Sequence, residues 1–143
     1  MTEPSYSTGA ASLRAPAPSL VSYTHWMYAL HALSAAIGIF GSAFIITAFV
    51  FGMPSIVAVV MNYVRRGDAR GTYLESHFAW QLRTFWLALL WMVVLAVLAA
   101  VFAITIIGLP LAFVFFAGMI GVGFWAVYRI VRGWLKLKDG REP

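Results

Sequence analysis

Charged side chains are missing from two long stretches of this chain, 15–64 and 84–128, and apolar residues dominate both. A helix on the surface of a water-soluble fold returns a polar position on nearly every turn, and neither stretch does so. A bilayer core about 30 Å thick is crossed by about 20 helical residues. As single helices the two stretches would each be far longer than that. The second divides at Gly108-Leu109-Pro110, where glycine frees the backbone to turn and proline suits the first turn of a new helix. It therefore predicts spans over 84–107 and 111–128. The first divides best near Gly41-Ser42, into spans over about 24–40 and 43–63, with Pro54 inside the second as a tolerated kink. A single crossing plus a re-entrant segment is the alternative for this first stretch.

Aromatic and basic residues orient the spans. Tyr23, Trp26, Tyr28 and Tyr63, then Trp86, Trp91, Trp125 and Tyr128, sit toward the ends of the uncharged stretches, and the turn regions lack Trp and Tyr. Such rings prefer the headgroup level, so two hairpins with all these ends at one interface fit the pattern. Nine of the ten basic residues lie between the stretches or after the second, and neither turn carries one. The positive-inside rule then places the 64–83 segment and both termini in the cytoplasm. The expected fold is all-α: a polytopic transmembrane four-helix bundle of two helical hairpins over 23–138. A flexible cytoplasmic arm precedes it (1–22) and a short tail follows (139–143).

Composition sharpens this. The chain of 143 residues is 62% hydrophobic and 10% charged, with formal net charge +5 and no cysteine. Thiolate chemistry and disulfides are excluded. Neither spanning stretch holds a carboxylate, so the acid that usually couples ion movement is missing. His25, His31 and His77 do not share a helical face, and no nucleophile–base set, carboxylate pair or phosphate loop is present. No cofactor or metal and no catalytic residue is expected, and the chain reads as a non-enzyme. Basic residues alternating with apolar ones after the fourth span point to anionic lipid headgroups, not to nucleic acid.

Local signals single out the remaining candidates. Thr72-Tyr73-Leu74-Glu75 matches a capping box, with Thr72 as cap and Glu75 reaching back to its amide. On the helix that follows, Leu74, Phe78, Leu82 and Phe85 share one face, with Ser76, Ala79 and Arg83 roughly opposite. Arg83 would snorkel to lipid phosphates; alternatively Glu75, His77, Gln81 and Arg83 form a docking or gating surface. With Arg65, Arg66, Asp68, Arg70, Arg129 and Arg132 they make up the candidate lipid or partner contacts. Ser34-x-x-x-Gly38 and Ala117-x-x-x-Gly121 have the spacing that lets helices approach closely, within the chain or between copies.

The runs Ala29-Leu30-His31-Ala32-Leu33-Ser34, Met53-Pro54-Ser55-Ile56 and Arg65-Arg66-Gly67-Asp68, and above all the stretch 68–86, resemble a bacterial four-helix membrane family of unknown function. That family is distantly similar to the twenty-kilodalton membrane subunit of the chloroplast inner-envelope protein translocon. The resemblance implies a four-helix membrane domain and brings no catalytic residues. The broader family often shows Asn-Phe-Gln where Trp80-Gln81 follows Ala79 here, so no role tied to that Asn carries over. The functional expectation is a multi-pass protein of the cell inner membrane, acting as a subunit or scaffold with a basic cytoplasmic face. The alternative is an oligomeric pore or translocon-like conduit. Expected partners are membrane lipids with anionic headgroups, with a homo-oligomer or membrane-protein partner as a further use.

Overall fold

The computed structural model describes residues 13–40 and 45–143, which form four helices and, among those residues, no strand. They are α1 (Pro18–Phe40), α2 (Ile45–Arg65), α3 (Leu74–Ala103) and α4 (Leu109–Lys138). The turn expected at Gly41-Ser42 lies outside the described residues. Cross-helix pairs fix the directions. Tyr23 meets Met61 and His31 meets Ser55, so α1 and α2 are antiparallel. Trp80 meets Arg129 and Phe102 meets Phe115, so α3 and α4 are antiparallel as well. The two hairpins join through α1 against α4, α2 against α3, and a diagonal contact of α1 with α3.

Pro54 sits inside α2 without ending it. The α3–α4 turn falls where the sequence puts it, with Gly108 at the cap of α4 and Pro110 in its first turn. Only glycine fits position 108, because a Cβ there would collide with the Phe102 carbonyl. Helix α3 ends at Ala103, short of the full 84–107 span. Thr105 takes over there: its carbonyl and hydroxyl oxygens both accept from the Gly108 amide, at 3.1 Å each. At the other end of the chain, α1 begins at Pro18, within the segment expected to be a flexible arm. Proline suits a first helical position, and Leu20, only 3% exposed, ties that turn to the core.

The buried apolar core lies at one end of the bundle. It joins Leu20, Met27 and Tyr28 of α1, Ala58 of α2, Ala69 of the loop, Leu74 and Phe78 of α3, and Leu137 of α4. Leu74, Phe78 and Leu82 are buried and Ala79 and Arg83 exposed, as the helical spacing requires. Beyond this end the bundle changes character. Buried residues on α3 stop at Thr84, and on α4 only Gly133 and Leu137 are buried. Both helices are long and apolar enough to cross a membrane, and none of the most apolar stretch of either is buried.

Candidate functional site: a buried polar cluster beneath a basic rim

Polar side chains occupy the interior where the four helices meet. His77, Gln81 and Thr84, at i, i+4 and i+7 on α3, share one face and are all buried. Across from them the Tyr28 hydroxyl stands 2.9 Å from His77 Nδ1, with the two rings edge-on. His77 Nε2 lies 2.7 Å from the Arg141 backbone carbonyl. A carbonyl only accepts, so Nε2 donates; Nδ1 of the neutral ring then accepts from the tyrosine. The Arg141 carbonyl reaches this position because α4 ends in a glycine turn. Gly140 has φ +65°, its amide donates to the Leu137 carbonyl, and the Arg141 amide donates to that of Lys136. The tail is thereby folded back onto α3.

Arg129 is clamped beside this cluster. Its Nε donates to Thr84 Oγ1 at 2.8 Å, and its carbonyl accepts from Trp80 Nε1 at 3.1 Å. Its guanidinium lies 3.6 Å from the centre of the Trp80 ring. On the α1–α2 side, Asn62 donates to the Phe78 carbonyl at 3.0 Å and His31 meets Ser55 at 3.1 Å. Trp134 Nε1 donates to His25 Nδ1 at 2.9 Å. Among the described residues, five buried side-chain polar atoms have no protein hydrogen-bond partner: His31 Nε2, Asn62 Oδ1, both amide atoms of Gln81, and Arg129 Nη2. Atoms of this kind are where a buried cluster takes up water or a small polar ligand.

His77 precedes the uncharged stretch that begins at Thr84. Burial holds its pKa below the ordinary 6.5, with the Arg141 carbonyl and the Glu142 charge pulling it upward and His25 pushing it down. A folded-state histidine pKa below the unfolded one contributes stability above pH 6.5 and loses it as pH falls toward the folded value. Unfolding titrations at descending pH should therefore show stability declining below about pH 6.5 in the native chain. His77→Gln should flatten that decline.

The structure separates the other sequence candidates. Glu75 and Arg83 are exposed whereas His77 and Gln81 are buried, so the four form no common docking surface. The cause is geometric: 77 and 81 turn with the buried face, and 75 and 83 away from it. Arg66, Arg70 and Arg132 are exposed, and Arg65 pairs with Asp68 at 2.8 Å. Thr72 and Glu75 brace the start of α3 one residue out of register with a capping box. Tyr73 takes the cap position, Thr72 Oγ1 accepts from the Leu74 amide at 3.2 Å, and Glu75 accepts from Gly71 at 3.0 Å. Gly71, at φ +71°, sets up this displaced turn.

Within the chain, the small-residue pairs Ser34/Gly38 and Ala117/Gly121 make no close helix approach at their glycines. A Cβ on Gly38 or Gly121 would meet nothing within 4 Å, and Ala117 is exposed, while Ser34 is half-buried on α1. Close approach occurs instead at Gly133, where a Cβ would lie 2.5 Å from the Tyr28 hydroxyl, and at Gly118 against Leu95. The polar row 77–81–84 was the available signal for the cluster. Nothing local marks Tyr28, Asn62 or Gly133 as its partners. No family model, curated protein or solved structure matches the chain.

Proposed function

We propose that this chain is a multi-pass inner-membrane protein whose four helices all span, with both termini cytoplasmic. In this reading it serves as a non-enzymatic subunit or scaffold, and its basic cytoplasmic face holds anionic lipid or a membrane partner. The observation that carries the proposal is an inverted distribution of polarity. The bundle buries His77, Gln81, Asn62 and Thr84 while Leu90, Val97, Ile106, Phe113 and Ile120 are exposed. In water that arrangement would leave a very large apolar surface uncovered; in lipid it is favourable. Exposed Trp26, Tyr63, Trp86, Trp91, Trp125 and Tyr128 supply rings suited to an interface, and Arg66, Arg70, Arg83 and Arg132 supply a cationic rim. The resemblance of the 68–86 run to the bacterial four-helix membrane family points the same way.

A conduit within one chain is the weaker reading. The buried polar atoms gather at one end, and further along α3 meets α4 through apolar contacts, Leu95 on Gly118 and Phe102 on Phe115. Topology reporters active only outside the cytoplasm should be bright after Gly41 and Gly108 and dark after Asp68 and Pro143. A bright fusion at Asp68 would sink the orientation. Solute leakage from liposomes above lipid-only controls would favour the pore instead.

A further inference from the structure

Two guanidinium groups flank one indole at the base of the α3–α4 hairpin, and a third arginine bears on them. Arg129 lies 3.6 Å from the Trp80 ring centre and Arg132 lies 5.8 Å from it. Arg83 follows Trp80 by three residues on α3, on the same side of the helix. Arg83 and Arg132 are the like charges that bear most on Arg129. No carboxylate among the described residues pairs with them: the ion pair found there, Arg65–Asp68, ties the last residue of α2 to the loop after it. The Thr84 hydroxyl and the face of the Trp80 ring hold the Arg129 guanidinium in place. The cluster is thus a concentration of positive charge, anchored at Arg129, that no carboxylate among the described residues pairs.

Beside it, an apolar groove runs along α4 past Phe124, Val127, Val131 and Leu135, bordered by Arg132 and closing near Asp139. The groove runs both ways from Arg132: Phe124 and Val127 lie toward the half of the hairpin whose apolar residues are exposed, and Leu135 and Lys136 toward the C-terminal end of α4. An anion bearing a hydrocarbon chain fits both features. A carboxylate on a protein partner would satisfy the charge and leave the groove unfilled. Arginine forks also suit phosphate oxygens better than lysine would.

We propose that this corner binds one anionic phospholipid, with Arg83, Arg129 and Arg132 around the phosphodiester and an acyl chain along the α4 groove. The proposal rests on the membrane reading above and makes it specific. The test uses the purified full chain in neutral detergent, melted with added phosphatidylglycerol, phosphatidylcholine or glycerol phosphate. Phosphatidylglycerol should raise the melting temperature in a concentration-dependent way, and the other two should not. In Arg83→Gln/Arg132→Gln, both positions being exposed, apparent affinity should fall about tenfold or more, as for lost charge-assisted contacts. Arg14→Gln/Arg141→Gln removes the same formal charge elsewhere and should keep the shift. The unliganded melt of each variant, read by helical circular dichroism, separates lost binding from lost folding. Equal weakening in both double variants would overturn the site in favour of diffuse attraction. Equal stabilisation by glycerol phosphate would overturn the lipid assignment. Either result alongside intact reporter topology defeats this site alone, whereas a bright Asp68 fusion defeats the membrane orientation beneath it.

Discussion

Gly133→Ala is expected to destabilise the protein by about 2 kcal/mol, against a helix-propensity gain of nearly 1 kcal/mol for the same change. The added methyl would stand 2.5 Å from the Tyr28 hydroxyl and 3.0 Å from two ring carbons. Tyrosine cannot retreat cheaply, because it is fully buried and bonded to His77. Moving it breaks that bond and leaves polar atoms unpaired in the interior. Removing the hydroxyl in Tyr28→Phe should recover part of the loss, which unfolding in mixed micelles would measure. Gly121→Ala is the matched control: nothing lies within 4 Å, so propensity alone should act and the variant should be slightly more stable. A neutral or stabilised Gly133→Ala would mean that Tyr28 is free to shift.

His77→Leu is expected to cost about 3 kcal/mol, since it leaves the Tyr28 hydroxyl and the Arg141 carbonyl without their partner. Tyr28→Phe should cost about 1–2 kcal/mol, because only the imidazole Nδ1 is orphaned. The double variant should fall well short of the sum, with a coupling of about 1–2 kcal/mol, as for two residues in one hydrogen-bonded network. A second readout separates the two singles. His77→Leu should release the folded-back tail, seen as faster amide exchange at Gly140 and Arg141, while Tyr28→Phe should leave those amides protected. Unchanged exchange in His77→Leu would show that the glycine turn of α4 holds the tail unaided.

The contrast between Gly121 and Gly133 marks the limit of what was legible in the residues. Helical class, the Gly108 hairpin, Pro54 within a helix and the buried row Leu74, Phe78 and Leu82 all follow from local pattern, because each depends on neighbours within a few positions. The displaced cap at Tyr73 shows where local pattern loses precision: a positive-φ glycine at 71 shifts the turn without altering its composition. Of the polar cluster only the α3 row at 77, 81 and 84 was legible, not its partners on the other helices. Tyr28 and His77 are 49 positions apart, and His77 and Arg141 are 64. No spacing rule reaches that far. Small-residue spacing likewise names a helix able to approach another backbone, while which glycine meets a ring depends on how the hairpins dock.

The bond from Trp134 to His25 crosses 109 positions of sequence. Together with the Tyr28–His77 and His77–Arg141 bonds, it sets an order on assembly during synthesis. When α1 first emerges from the ribosome, His25 and Tyr28 await partners that belong to helices not yet made. The bond to Arg141 forms only after α4 has been made. Contacts this distant in sequence close late, so the first hairpin meets its polar partners only once α3 and α4 have been made.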